Sequence, residues 1–355
     1  MKRYLIFLCL FLFVTLLVAC GKITPATSTE IDQTSAEATE SATDTQAKVT
    51  ESSEQDTTYP DILYDTTPIT GEIGTPYRAN WNPYLLSPLI EEDLTKAFED
   101  AITAILNRRL SVKYDDLDTL LAVKDNLFYE FPPAALCEIS ADEETLTLRF
   151  SYRHDRETHL EKVAAFGDKV EEILRDYLVF GDGEAEKAIM LYHAVAYTVD
   201  YIKNDYEPWQ INAYYALTEN RAICYSFSDA YNYLLRQVGV EAWLVRSYRP
   251  SDRAKHGWSL IRVGEDYYHC DTTWEYNFIS GVGFYYFAMN DKRRAAAISL
   301  EDATVGLGSL QKPIPYAANG SRFDKMAGDK YHAKTWTIDR DKKVLVYNGK
   351  EYPYS

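Results

Sequence analysis

What this chain lacks narrows its chemistry first. Only five of its 355 residues are cysteine, and setting aside Cys9 and Cys20 at the N-terminal end leaves Cys137, Cys224 and Cys270. Three thiols admit one bridge at most, which excludes a disulfide-stapled scaffold. The formal net charge is -17, with no run of Lys and Arg that would locally reverse it; losing Lys2 and Arg3, two positive charges, with a leader would bring it to -19. Such a balance argues against sequence-independent binding to nucleic acid, or to anionic lipid through charge. Internal repeats, Gly-rich phosphate loops and metal-ligand spacings are also missing. His154 and His159 stand five apart with no third ligand nearby and are expected to be solvated surface residues. No metal and no cofactor are expected.

What is there begins with a core: 46% hydrophobic and 14% aromatic residues suffice for a globular body. Residues 1–19 read as an export signal, with Lys2 and Arg3 ahead of an apolar stretch from Leu5 to Val18 that is short for a membrane span. It ends in Leu17-Val18-Ala19-Cys20, which resembles the lipobox of bacterial lipoproteins. That resemblance implies a lipid on Cys20 as the new N-terminus, and so a membrane partner and a place on the extracytoplasmic face of the cell membrane. Acyl chains bury methylenes at about 0.8 kcal/mol each, so more than one chain anchors stably. Residues 20–58 follow without an aromatic side chain, carrying eight acids against two lysines. This composition makes an extended, self-repelling spacer.

Folded sequence is expected from Tyr59, with a helix and strand extension over 59–183, a core over 184–300 and a small β appendage over 301–355. In the extension, Ser87 reads as an N-cap and Pro88 as the first helical residue, ahead of an apolar stripe of Ile90, Leu94, Ala97, Phe98, Ala101 and Ile105. Ser140 to Tyr152 alternates as strand does, turning at Asp142-Glu143-Glu144. Helices are expected from Leu160 to Tyr177 and, past the break at Gly181 to Gly183, from Glu184 to Tyr201. The appendage should contain a hairpin of Thr335 to Ile338 and Val344 to Tyr347, with another tight turn at Asn348-Gly349.

The core centres on Cys224. Phe227, Ala230, Tyr231, Leu234, Leu235 and Val238 recur along one helical face after it, and Gly239 supplies the stop. A thiol in a helix's first turn sits at the positive end of the dipole among unpaired N–H groups, which favours its nucleophilic form. Three strands are expected downstream, Glu241 to Tyr248, His256 to Val263 and Asp266 to Thr272, the last two joined by Gly264-Glu265 in a type II′ turn. In that register Val263 faces Asp266 and Asp271 lies opposite Trp258. His256 is then one diagonal step away on the same face, roughly 7–8 Å between backbones. Cys270 points to the other face and reads as structural. A thiol, an imidazole to take its proton and a carboxylate to orient the imidazole are what acyl transfer needs.

These residues carry a resemblance. Ala222-Ile223-Cys224, then His256-Gly257-Trp258-Ser259, then Tyr268-His269-Cys270-Asp271-Thr272-Thr273-Trp274 resemble the bacterial transglutaminase-like domain over roughly residues 185 to 294. The resemblance implies an α+β, papain-like core in which a nucleophile helix packs on an antiparallel sheet. It also implies Cys224 as nucleophile, His256 as general base and Asp271 as orienter, with the Cys224 N–H as one oxyanion donor and Trp209 or Tyr201 as candidates for a second. The chain departs from the usual family motifs at Tyr225-Ser226-Phe227, Gly257 and Ser259, where groove shape is set. The activity implied is cleavage or transfer at amide bonds through an acyl-enzyme. Protein or cell-wall peptide would be the substrate, and the action peptidase or amidase rather than crosslinking. A different class stays open, a binding or envelope-assembly module that retains the triad.

Overall fold

The computed structural model describes residues 61–203, 206–278, 283–327, 336–347 and 349–355. The leader, the spacer, Cys20, the expected start of folded sequence at Tyr59, Thr335 of the expected hairpin and Asn348 of the expected tight turn lie outside the described residues. Helices and strands are both present, in an α+β arrangement whose largest sheet, among the described residues, is antiparallel and five-stranded. Among the described residues no helix is long and apolar enough to cross a membrane.

The N-terminal part opens differently from the expectation. Helix α1 spans Glu92–Leu106 and is preceded by Glu91, not Ser87. Ser87 gives its N–H and hydroxyl to the buried Glu130 carboxylate, and the Ile90 N–H bonds the Ser87 carbonyl. A turn, not a helix, therefore starts there, while Phe98, Ala101 and Ile105 of the stripe are buried as the periodicity requires. Strand β1 (Ser111–Lys113) leads to a helix that no apolar stripe announces, α2 (Leu117–Glu130), capped by the Asp116 side chain on the Thr119 N–H. Strands β2 (Cys137–Asp142) and β3 (Thr147–Tyr152) form the expected hairpin and pair with β1 in the order β1-β3-β2. Helix α3 (Arg156–Tyr177) follows under an Asp155 cap. His159 on it is not solvated: it is fully buried, its ring edge-on to Tyr152 and its Nε2 hydrogen-bonded to the Ile105 carbonyl. A neutral imidazole suits that site, and burial pushes its pKa down to about 4.

Helix α4 (Glu184–Thr198) ends before Tyr201, because Asp200 and Tyr201 leave it as β4 to pair in parallel with β5, Arg221–Ala222. Helix α5 (Ala213–Thr218) lies between them, capped by Asn212. Helix α6 spans Cys224–Gln237. Its C-terminus closes as a Schellman motif: Gly239 has φ +77, Val240 N–H reaches the Leu235 carbonyl and Gly239 N–H the Arg236 carbonyl.

Strands β6 (Ala242–Tyr248), β7 (Lys255–Val263) and β8 (Asp266–Cys270) then build the sheet against which α6 packs. Val263 pairs with Asp266, as expected, through a turn in which Gly264 takes φ +65. Strand β8 stops at Cys270, two residues before the expected Thr272. The Asp271 carboxylate caps the Trp274 N–H and turns the chain into α7, Thr272–Phe278. After α8 (Asp291–Ala295) come β9 (Thr304–Val305) and β10 (Lys312–Pro313), giving the order β10-β9-β6-β7-β8, all antiparallel. A short helix, α9 (Asp324–Ala327), precedes a separate meander of β11 (Trp336–Asp339), β12 (Val344–Tyr347) and β13 (Lys350–Pro353). The expected hairpin thus gains a third strand. Arg340 pairs with Asp182 and Lys343 with Glu186, so the meander sits at the start of α4.

Candidate active site

Helix α6 is held from several sides before any chemistry is considered. Arg236 pairs at 2.5 Å with Glu130, the same carboxylate that holds Ser87. Tyr233 accepts the Trp81 indole N–H, and the buried Asp229 accepts the Ala213 N–H. On its sheet side, Ser259 donates to the Ser228 carbonyl, and Ser228 donates back to the Cys224 carbonyl. The first residue of α6 is thereby fixed relative to β7. Cys224 is 8% exposed, at the helix end where N–H groups have no intrahelical partner.

His256, near the start of β7, is brought to the same place and is 6% exposed. Its Nε2 is 2.7 Å from Asp271 Oδ2, and Cys224 lies within electrostatic reach of the ring. The imidazole stacks on Trp274 with centroids 4.9 Å apart and planes at 19°. Burial works against the imidazolium, but Asp271 and then Cys224 outweigh it and hold His256 up at about 8. Asp271 is completely buried. Burial alone would raise its pKa, yet His256 and Arg294 keep it below the ordinary carboxylate range.

Cys224, His256 and Asp271 are therefore gathered in one constellation. Sequence reasoning missed Arg294, which α8 delivers from beyond the expected motif. Its guanidinium is wholly buried, lies 4.3 Å from the Trp258 ring and 4.4 Å from the Trp274 ring, and sets Nη1 3.0 Å from Asp271 Oδ2. Trp258 is itself fixed, donating to His269 Nδ1, and His269 Nε2 donates to Asp291 at the head of α8. Behind Asp271, Glu275 accepts from Tyr192 and from the Tyr286 N–H, and burial pushes it up to about 7.

The flank of the nucleophile is aromatic and cationic. An added Cβ at Gly257 would sit 2.3 Å from the Tyr225 ring, so the glycine is what admits that ring beside Cys224. Arg246, paired with Gly257 across the sheet, lies 4.5 Å from the Tyr129 ring and 5.7 Å from that of Tyr225. Two departures from the usual family motifs, Tyr225 and Gly257, are therefore one packing unit. Of the two candidates for a second oxyanion donor, Tyr201 is half-buried with its phenol in electrostatic reach of Cys224. Trp209 packs instead on Tyr215 and beneath Arg153.

Cys137 and Cys270 are buried and free, and burial pushes both up to about 12. Cys270 points toward α6, away from His256, and accepts the Ala288 N–H. Among the described residues no three His, Cys, Asp or Glu side chains gather as a metal site.

Comparison with known proteins places this geometry. Residues 173–272 match the model of the transglutaminase-like superfamily, a span that contains all three residues of the constellation. No curated protein matches the chain. Solved structures with some similarity include a provisionally assigned cysteine protease from Cytophaga hutchinsonii, at 11% identity and TM-score 0.27 over 39% of this chain and 61% of that one. The chain thus spans under two thirds of that protein. Another is calcium-bound LapG of Legionella pneumophila, at 8% identity and TM-score 0.32 over 47% of this chain and 86% of that one. A third, a TGase, has 12% identity and TM-score 0.28 over 52% of this chain and 59% of that one. Scores this low carry no argument about function.

Proposed function

We propose that the transglutaminase-like domain works as a cysteine peptidase or amidase. Cys224 is the nucleophile, His256 the base and Asp271 the residue that orients the base. One observation carries this reading: His256 Nε2 lies 2.7 Å from Asp271 Oδ2, with Cys224 at the head of α6 within electrostatic reach of the ring. The imidazole takes the thiol proton as sulfur adds to the amide carbonyl. The oxyanion is met by the N–H groups at the head of α6, and the imidazolium returns the proton to the leaving amine. Water, deprotonated by the same imidazole, then releases the acid. The chain acts from the extracytoplasmic face of the membrane, held by lipid on Cys20, on protein or cell-wall peptide that its spacer lets it reach.

A second reading is favoured by the closure of the site, since both Cys224 and His256 are under a tenth exposed. In that reading the triad is retained in a binding or envelope-assembly module. Incubation with a glutamine-containing peptide and a primary amine, followed by mass measurement, separates the outcomes. Free acid formed by wild type and not by Cys224→Ala supports hydrolysis. An amine adduct makes the chain a transamidase, and no product across a varied peptide set favours the module.

A further inference from the structure

We propose that Arg294 is a positioning residue of this site, which neutralises the buried Asp271 carboxylate so that His256 is free to act as a base. The inference rests on the triad reading for its catalytic meaning, but its physical content does not.

The observations are geometric. Asp271 is wholly buried, and its Oδ2 receives two cationic or potentially cationic groups, His256 Nε2 at 2.7 Å and Arg294 Nη1 at 3.0 Å. Its Oδ1 takes the Trp274 N–H at 2.9 Å. A carboxylate buried with only an imidazole beside it would demand a proton on that imidazole, because an uncompensated buried charge is costly. A permanent cation removes the demand. Arginine suits the role because it stays charged and its flat guanidinium fits between two ring faces. Here the Trp258 and Trp274 rings take those faces, at 4.3 and 4.4 Å. Trp274 is also the ring on which His256 stacks, so one indole fixes cation and base together.

Charged and titratable groups around the pair are few. His256 meets Asp271 and Cys224. Asp271 meets His256 and Arg294, with Glu275 behind it, and Arg294 lies within electrostatic reach of Tyr192, Tyr286 and the neutral His269. Arg294 alone among these is a fixed positive charge. Taking it away leaves Asp271 to hold the proton on His256 up to a higher pH, so that less of the base form exists at neutrality.

The test is the titration of the His256 ring, followed by NMR in chain labelled at histidine, in wild type, Arg294→Met and Arg294→Lys. It is readable whether or not the chain turns over any substrate. Arg294→Met should move the His256 midpoint alkaline by one pH unit or more, and Arg294→Lys, which keeps the charge, by much less. An unmoved or acid-shifted midpoint in Arg294→Met overturns the inference. So does an equal shift in both variants, which would assign the effect to packing. If Arg294→Met does not fold, Arg294→Lys decides: a midpoint within a few tenths of wild type supports the role of charge, and a full-unit shift overturns it. Failure of the nucleophile reading looks different, since there Cys224 reactivity would ignore His256 in wild type as well.

Discussion

At the residue scale, Gly257 and His256 each give a separate test of the site. Gly257 sits where an added Cβ would meet the Tyr225 ring at 2.3 Å, so Gly257→Ala must displace that ring from beside Cys224. We expect several-fold loss of Cys224 reactivity with the melting temperature little changed, because the half-buried ring can swing outward. Gly257→Ala with Tyr225→Ala should recover it, and a double variant as impaired as the single one would contradict the packing account. His256 yields a pH dependence whose sign follows from its raised pKa. With a folded value near 8 against an ordinary 6.5, the imidazolium contributes stability fully below pH 6.5 and loses it as pH rises through about 8. The loss over the whole transition, from well below pH 6.5 to well above pH 8, should be about 2 kcal/mol. Denaturant midpoints of wild type at pH 6 and pH 9, compared with His256→Ala, check it: the difference between the two pH values should shrink by about that amount in the variant, leaving the part due to other groups such as the raised Glu275.

At the scale of elements, what was legible followed from local periodicity and what was not followed from distant partners. The stripe from Phe227 to Val238 announced α6, and the Gly264-Glu265 turn set the β7–β8 register, so Cys224, His256 and Asp271 could be placed from nearby residues alone. Helix α2 carries no clean stripe because two of its buried positions, Asn126 and Glu130, are polar and are satisfied by groups far along the chain. Ser87 looked like a cap because nothing nearby reveals that Glu130 claims it. Arg294 stands in a polar run, Asn290-Asp291-Lys292-Arg293-Arg294, which by itself reads as a solvated surface; only two indoles from other elements make it a buried cation. The end of α6 tests local structure by itself. Gly239 has φ +77 with open space where a Cβ would go, so Gly239→Ala should cost about 1–2 kcal/mol through backbone strain alone. Chemical denaturation measures this, with Cys224 reactivity expected to stay as in wild type.

At the scale of the whole molecule, the described fold explains how a small site is held steady. Glu130 ties the N-terminal extension to α6 through Arg236, the central sheet gains β9 and β10 at the edge of β6, and the C-terminal meander is pinned to α4 through Asp182 and Glu186. Anchoring belongs to this scale too. The proposal of lipid on Cys20 predicts that expressed chain partitions with membranes and that Cys20→Ser releases it; equal partitioning of both would contradict the anchor.

The central claim is that Cys224 is a nucleophile made reactive by its partners. The most direct measurement is the rate of iodoacetamide alkylation at Cys224, located by peptide mass, in wild type and in His256→Ala. Wild-type Cys224 should react faster than a free exposed thiol and slow tenfold or more on losing His256. A Cys224 that reacts no faster than a free thiol, and equally in both proteins, would contradict it.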